Sequence, residues 1–272
     1  MAHFDVFNGD ADGICALHQL RLAAPMPAKL ITGPKHDVSL LARANARHGD
    51  SITVLDISLD ANRTALNSLL ERGVRVEYFD HHFAGTIPTH GGLIAHIDTS
   101  PDVCTSILVD RHLSGRHHLW AIAAAFGDNL VAPAHVLAQS AGLSAGQTQQ
   151  LRSLGEALNY NGYGRTEADL LIAPDKLYEA LRPYSNAFEF IAAEPLVPTL
   201  TEEREADLAR ARQCLPHVVL QCGALHVLPD AAWSWRVQGA FANELANAAP
   251  KLAHAVLVCD AAGGYAAARQ TR

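Results

Sequence analysis

Several acidic and imidazole side chains in the first half of the chain directly follow short apolar segments. They are Asp10, Asp12, Asp56, Asp80, His81, His82 and Asp128. Crowded carboxylates repel one another, and burying them without partners costs several kcal/mol each. Two divalent cations would balance Asp10, Asp12, Asp56 and Asp128. Carboxylate oxygen with some imidazole suits Mn²⁺, or alternatively Mg²⁺, better than Zn²⁺. Two such ions about 3.5–4 Å apart are a usual arrangement for phosphoester hydrolysis.

The surrounding elements decide whether these side chains can meet. Segments rich in β-branched and aromatic residues predict strands at 3–7, 29–32, 52–55, 74–79 and 93–97, and amphipathic segments predict helices at 14–23, 38–46 and 61–71. This order predicts an α/β fold with a mainly parallel sheet flanked by helices. The carboxyl ends of such strands share one edge, where sites form. We therefore expect the acids to meet there.

The second half of the chain predicts a smaller α/β unit. After residue 97 the pattern is helical to about residue 160. Pro195 and Pro198 predict a linker, and Thr199 with Glu202 predicts the cap of a helix that runs to about residue 214. Strands at 224–228 and 255–258 flank a helix at 237–247. We predict an N-terminal domain over 1–185 and a small α/β accessory domain over 195–272.

Each motif has an ordinary alternative when it is taken alone. The Asp10–Asp12 motif could be a turn or a helix cap, and Asp56 could cap the helix that follows it. Asp80-His81-His82 could be a surface turn. Their occurrence at three strand ends of one predicted sheet favours a shared metal site.

The residues that carry this pattern resemble the DHH phosphoesterase superfamily. Its members include RecJ-type exonucleases, oligoribonucleases, cyclic-dinucleotide phosphodiesterases and family II inorganic pyrophosphatases. The matching motifs are Asn8-Gly9-Asp10-Ala11-Asp12-Gly13, Asp56, Asp80-His81-His82 and Asp128 within Ala125-Phe126-Gly127-Asp128-Asn129. They occur in the order found in the family and cover about residues 1–165. The segment from about residue 195 resembles the accessory domain that usually follows.

The resemblance implies a role for each matched residue. Asn8, Asp10 and Asp56 would hold one ion, and Asp12, Asp56, His81 and Asp128 would hold the other. His82 would lie at the substrate phosphate, and Asp80 would orient the histidines. The family activates water between two metal ions and uses no protein nucleophile.

Two departures from the family pattern concern the first ion and the substrate. Position 8 is Asn, where many relatives have His, and an amide oxygen is the weaker ligand for manganese. The chain ends soon after Gly263-Gly264 without the family's Gly-Gly-Gly-His segment. Arg269 could match the phosphate-contacting Arg of the family. Lys35 could contact substrate phosphate or could belong to a solvated loop.

Composition limits the partners. The chain has 272 residues, of which 49% are hydrophobic, and a formal net charge of −7. It has no basic tail or basic half, which disfavours long duplex nucleic acid and leaves short oligonucleotides, dinucleotides or other phosphoesters. No apolar run reaches the ~18 residues that span a membrane, and the first residues lack a basic leader. We expect a cytoplasmic protein with no membrane partner.

These observations leave three functions open. The first is a metal-dependent phosphodiesterase that acts on short oligonucleotides or linear or cyclic dinucleotides. The second is a phosphatase for a small substrate, including pyrophosphate. The third is a nucleotide-binding protein with weakened catalysis, which Asn8 and the missing tail segment favour.

Overall fold

A five-stranded parallel sheet forms the centre of the N-terminal part. The structure, a computed structural model, describes residues 1–259 and 263–270. The strands are β1 (His3–Phe7), β2 (Lys29–Ile31), β3 (Ser51–Leu55), β4 (Arg75–Asp80) and β5 (Leu93–Ile97). Their order is β2-β1-β3-β4-β5, and every pairing is parallel. The predicted α/β fold with a mainly parallel sheet is confirmed.

Helices cover both faces of this sheet. The helices up to residue 193 are α1 (Ala11–Ala23), α2 (Leu59–Glu71), α3 (Thr105–His112), α4 (His118–Gly127), α5 (Val131–Ser140), α6 (Ala145–Gly162), α7 (Pro174–Leu181) and α8 (Ala187–Ala193). Alternate strand residues point to opposite faces. Phe7, Leu55 and Phe79 join the core beneath α1, α3, α4 and α6. Val54 and Tyr78 join the core beneath α2. Both faces are buried, as parallel sheets require.

The predicted helix at 38–46 is wrong. Only a single 3-10 turn forms there, at Leu40–Arg43, and the backbone at Ala44 is already extended. Leu40, Leu41, Ala44 and Ala46 are all buried in the core beneath α2. One tight turn followed by extended chain is enough to bury this short apolar set, so no longer helix forms.

A second sheet lies at the C-terminal end. It contains β6 (Val218–Leu220), β7 (Gly223–Leu228), β8 (Ala253–Cys259) and β9 (Tyr265–Gln270), in that order. The pair β7 and β8 is parallel, and the outer pairs are antiparallel. Helix α10 (Ala232–Ala248) packs on this sheet. A small second sheet was predicted, although β6 and β9 were not.

The expected linker around Pro195 and Pro198 is helical instead. Helix α9 (Leu196–Gln213) begins directly after Pro195, so Thr199 lies inside the helix and does not cap it. Proline in a first helical turn lacks only an N–H that would have no partner there. Val197 and Leu200 insert into the N-terminal core, which draws the segment into a helix. The domain boundaries at 185 and 195 remain a prediction.

A buried polar network joins α6 to the C-terminal sheet unit. The Tyr160 hydroxyl on α6 donates to the Asp207 carboxylate on α9. Arg236 on α10 donates to Asp207 Oδ2 through Nε at 3.0 Å and Nη2 at 2.7 Å, and to the Asp169 carbonyl at 2.8 Å. Asp207 is fully buried and Arg236 nearly so. The three side chains satisfy one another, so the two parts of the chain are joined by polar as well as apolar contacts.

The described part of the chain has no helix that is both long and apolar enough to cross a membrane.

We predict that Asp207→Asn lowers the free energy of unfolding by about 3–5 kcal/mol, because it leaves the Arg236 cation buried without its carboxylate. Urea unfolding followed by circular dichroism measures the change. Glu203→Gln, at an exposed position on the same helix, is the matched control and should change stability little. An equally small effect of Asp207→Asn would contradict a structural role for the network.

A second stability prediction concerns His18, which is buried in α1 with Nε2 2.8 Å from the Tyr184 carbonyl. Burial lowers the pKa of His18 to about 4 from its ordinary value of 6.5. The unfolded chain therefore takes up this proton first as the pH falls. The contribution of neutral His18 to the free energy of unfolding is fully present above about pH 6.5. It is lost as the pH falls toward 4, by about 3 kcal/mol in all. Unfolding free energies of wild type and His18→Gln, measured between pH 7 and 4, should converge by that amount. Parallel curves would contradict it.

Candidate metal centre

The end of β1 and the start of α1 place two carboxylates at the carboxyl edge of the sheet. Asp10 is the N-cap of α1, and its Oδ1 accepts from the N–H groups of Asp12 at 3.0 Å and Gly13 at 3.1 Å. Asp12 lies in the first turn of the helix, where N–H groups favour negative charge. The helix-cap interpretation of this motif is therefore correct, and it is compatible with a site because the cap leaves Asp10 Oδ2 for other contacts.

Asp56 follows β3 in a backbone conformation that is uncommon for its residue type. Its φ is +58°, in the left-handed region. The Asp56 N–H donates to the Phe79 carbonyl at 3.0 Å, and the Thr105 hydroxyl donates to Asp56 Oδ1 at 3.1 Å. Such strain of about 1–3 kcal/mol persists only where the surroundings enforce it. Here the conformation aims the carboxylate across the strand ends.

Asp80, at the end of β4, orients His82 and is itself buried. Its Oδ1 lies 2.7 Å from His82 Nδ1 and accepts from the His82 N–H at 3.2 Å, while its Oδ2 accepts from the Leu59 N–H at 3.3 Å. The hydrogen bond to Asp80 raises the pKa of His82. The His82 side chain is 45% exposed, so Nε2 remains available to a molecule in the cleft.

His81 Nε2 lies at the centre of three carboxylates from three different elements. It is 3.4 Å from Asp56 Oδ1, 3.9 Å from Asp128 Oδ2 and 4.0 Å from Asp12 Oδ2. Neighbouring ligands of an octahedral Mg²⁺ or Mn²⁺ are roughly 3 Å apart, for bonds of about 2.1 Å. The three carboxylates surround His81 at somewhat longer distances, and their chemistry suits a hard divalent cation.

Close packing of three helices brings Asp128 to this group. Asp128 ends α4, which packs between α1 and α6. A Cβ on Gly127 would lie 2.6 Å from Ala11 Cβ, and one on Gly155 would lie 1.8 Å from the Ala123 carbonyl oxygen. Only glycine permits these approaches. The Asp128 carboxylate consequently reaches the sheet edge from a distant part of the chain.

Two residues at the start of α3 belong to the site although the sequence did not single them out. The backbone N–H groups of Thr105 and Ser106 each donate to the Asp12 carboxylate at 2.7 Å, and the Ser106 hydroxyl donates to the Asp12 carbonyl at 2.8 Å. The signal was the Thr-Ser pair ahead of an apolar helical run, which is typical of a helix start. That helix N-terminus fixes Asp12 and offsets its charge.

Lys35, one of three predicted contacts to substrate phosphate, lies inside the centre. Its Nζ is 2.6 Å from Asp10 Oδ2 and 3.2 Å from Asp128 Oδ1. It also lies 5.4 Å from the centroid of the Tyr163 ring. The solvated-loop interpretation is wrong, because two carboxylates and an aromatic ring surround this ammonium group.

Asn8, the expected ligand of one ion, uses its carboxamide within the protein. Its Oδ1 accepts from the Asp10 N–H at 3.3 Å, and its Nδ2 donates to the Lys35 carbonyl at 3.4 Å. The Asn8 side chain is buried between the two segments that it joins. The role of Asn8 as a metal ligand remains a prediction.

The electrostatics of the centre reflect its crowding. Burial, with Asp12 and Asp10 close by, raises the pKa of Asp56 well above its usual range, and burial raises the pKa of Asp128. Burial would also raise the pKa of Asp10, but the Lys35 ammonium and the Gly13 N–H outweigh it and lower the pKa. Burial opposes the charge of Lys35, but the carboxylates outweigh it and raise its pKa well above the usual range.

The donors on the two sides of the centre fit metal ions differently. Asp12, His81 and Asp128 offer ligand atoms within 4.8 Å of one another, and so do Asp56, His81 and His82. His81 is common to both groups, and either group suits a hard divalent ion. On the Asp10 side, Asp10 Oδ2 is already paired with Lys35 Nζ, and Asn8 Oδ1 accepts a hydrogen bond from the Asp10 N–H. In this arrangement those donors do not fit a second ion.

Arg269, another predicted phosphate contact, lies in β9 and pairs with Ala255 of β8 through its backbone. Its side chain lies outside the described residues.

Comparisons with known proteins show which solved structures share this fold. No protein-family model and no curated protein matches the chain. Among solved structures, it is similar to the manganese-bound exonuclease RecJ, with 18% identity and a TM-score of 0.59 over 94% of this chain and 75% of that one.

Two further structures show the same fold. RecJ with Mn²⁺ from Thermus thermophilus has 19% identity and a TM-score of 0.60 over 94% of this chain, which spans only 43% of that one. A pGpG-specific phosphodiesterase from Vibrio cholerae has 14% identity and a TM-score of 0.51 over 95% of this chain and 78% of that one. The resemblance predicted from the motifs is confirmed for the fold.

We predict opposite effects of Asp56→Asn on the metal-free and metal-loaded protein. The metal-free variant should melt a few degrees higher, because one of the crowded charges is gone. Its affinity for Mn²⁺ should fall by more than about 100-fold, since even outer partners of ligands contribute about 10- to 100-fold. Calorimetric titration and melting curves with and without Mn²⁺ measure both effects. Asp60→Asn, at an exposed position in the first turn of α2, is the control. Unchanged Mn²⁺ affinity in Asp56→Asn would contradict the site.

Proposed function

We propose that this protein is a divalent-metal-dependent phosphoesterase that hydrolyses phosphodiester bonds of short oligonucleotides or dinucleotides. The grouping of the Asp12, Asp56 and Asp128 carboxylates within 4.0 Å of His81 Nε2 carries the proposal. Such a cluster has no structural purpose that outweighs its repulsion, whereas a metal ion relieves it. Mn²⁺ is the ion proposed, because RecJ neighbours contain it, with Mg²⁺ as the alternative.

Different side chains of the centre have different roles in the proposed reaction. A divalent ion supplies Lewis acidity, which activates water and offsets charge on the phosphoryl oxygens. Asp12, Asp56, His81 and Asp128 fix the position of the ion's positive charge. The packed helices behind them keep these side chains from moving apart. His82, held through Nδ1 by Asp80, presents Nε2 to a phosphoryl or leaving oxygen. Asp80 is thus the residue that orients His82.

A cavity beside the centre supports a nucleotide as the substrate. It has a volume of about 370 Å³ and is lined mainly by apolar surface, with Lys35 at one side and Tyr163 and Trp235 among its walls. Aromatic side chains bind nucleobases by stacking, at about 1–3 kcal/mol per base. A base in this cavity would place its phosphate near Lys35. Pyrophosphate has no group for such a surface.

The neighbours and the charge of the chain favour a short substrate. One neighbour is a pGpG-specific phosphodiesterase, and another is the exonuclease RecJ. The net charge of −7 disfavours a long duplex. The cytoplasmic location remains a prediction.

A nucleotide-binding protein with weakened catalysis is the second candidate. The contact of Lys35 with Asp10 favours it, because that contact replaces ligands expected for one ion. Purified protein with Mn²⁺ should be assayed against pGpG, a short oligonucleotide and pyrophosphate. Turnover of the first two supports the phosphodiesterase. Nucleotide binding without turnover supports the second candidate, and turnover of pyrophosphate alone supports a small-molecule phosphatase.

For the cavity we predict that Trp235→Ala raises KM for pGpG about tenfold or more, because it removes a stacking surface. The kcat should change less, since Trp235 does not touch the ligands of the ion. Trp233→Ala, two residues away in the same helix and outside the cavity lining, is the matched control. Equal KM values for the two variants would contradict a base site at Trp235.

A further inference from the structure

Lys35 occupies the side of the centre where the family pattern expects a second ion. Its Nζ lies 2.6 Å from Asp10 Oδ2, the one carboxylate oxygen of Asp10 that the α1 cap leaves for other contacts. The same Nζ lies 3.2 Å from Asp128 Oδ1, whereas Asp128 Oδ2 faces His81. The Lys35 ammonium therefore shares Asp128 with the carboxylates around His81 but does not lie among them.

The position of Lys35 is built by its surroundings. Its N–H donates to the Gly162 carbonyl at 2.8 Å, and its carbonyl accepts from Asn8 Nδ2 at 3.4 Å. Gly162 in turn packs on Asp10, where a Cβ would approach to 2.7 Å. The end of α6, the loop after β2 and the start of α1 therefore hold the lysine over Asp10 from both sides.

Asn8 and Lys35 act as a pair. A histidine at position 8 would offer an imidazole nitrogen to an ion, whereas the Asn8 carboxamide binds the Asp10 N–H and the Lys35 carbonyl. The residue that removes a metal ligand is thus the one that helps to place a permanent cation. Asn8 and Lys35 together therefore place an ammonium group where the family pattern has a metal ion.

Charge balance permits this substitution. Asp10, Asp12, Asp56 and Asp128 carry four negative charges when all are ionised. One divalent ion and one ammonium offset three of them, and the N–H groups at the starts of α1 and α3 compensate Asp10 and Asp12 further. A second divalent ion placed next to Lys35 Nζ would instead be repelled at close range.

We infer that this centre binds one divalent ion, through Asp12, Asp56, His81 and Asp128, and that the Lys35 ammonium serves in place of a second ion. The inference rests on the proposed metal-dependent function. Lys35 supplies a positive charge that holds Asp10 and reaches the substrate phosphate, and its side chain is 27% exposed toward the cleft. An ammonium cannot activate water as a metal ion does, so activation is left to the single ion.

Metal stoichiometry tests the inference without an assay of activity. Wild type, Lys35→Met, Asn8→His and the double variant are equilibrated with excess Mn²⁺ and passed through a desalting column. Mn²⁺ per chain is then measured by elemental analysis, and electron paramagnetic resonance detects coupling between paired ions. Lys29→Met, a substitution on β2 outside the centre, is the matched control.

We expect one Mn²⁺ per chain with an uncoupled signal in wild type, in Lys29→Met and in Asn8→His, because Lys35 remains in each. The double variant should bind two with a coupled signal. Two coupled ions in wild type would overturn the inference and leave the proposed function intact, even if the variants failed to fold. A folded double variant with one ion would also overturn it. Absence of Mn²⁺ from wild type would instead defeat the proposed function and, with it, this inference.

Discussion

Repulsion among buried carboxylates is the constraint on which the rest of this structure depends. Asp10, Asp12, Asp56 and Asp128 meet at the carboxyl edge of one sheet, three of them fully buried. Each carboxylate has at least one hydrogen-bond donor or cation that offsets its negative charge. The α1 N-terminus binds Asp10, the α3 N-terminus binds Asp12, and the Thr105 hydroxyl binds Asp56. Lys35 contacts Asp10 and Asp128. Hydrogen bonds and one ammonium thus hold in place a charge cluster that a divalent ion completes.

The scaffold makes this cluster rigid by means that are unrelated to charge. Strand residues alternate between two apolar cores, so the backbone at the strand ends cannot shift without disturbing packing on both faces. Gly127 and Gly155 let α4 approach α1 and α6 closely enough for Asp128 to reach the edge. The positive φ of Asp56 shows that the backbone accepts a local strain to aim one carboxylate. A site held in this way needs little reorganisation when an ion or substrate arrives.

The C-terminal sheet unit lines part of the cavity beside the centre. The network of Tyr160, Asp207 and Arg236 fixes α10 against α6, and α6 also carries Gly162 against Asp10. Trp235 on α10 and Tyr163 after α6 then line one cavity next to Lys35. The same helix, α6, therefore connects the charged centre to the surface that would bind a base. Under the proposed function, the cavity would bind the base of the substrate, whereas the charged centre would bind the ion.

The parallel sheet, helices α1, α2 and α10 and the location of the centre follow from the amino-acid sequence, because strand and helix periods are local and parallel strands end at one edge. Asp10, Asp56, Asp80, His81 and His82 could be assigned to the centre on that ground. The partners that set its charge could not. Lys35 contacts Asp128 across 93 residues, and the N–H groups of Thr105 and Ser106 contact Asp12 across a similar distance. Such contacts depend on how loops pack, for which the sequence has no periodic signal. Local patterns determined where the acids gather, and only tertiary packing decided which of them receive a hydrogen bond, a lysine or room for a metal ion.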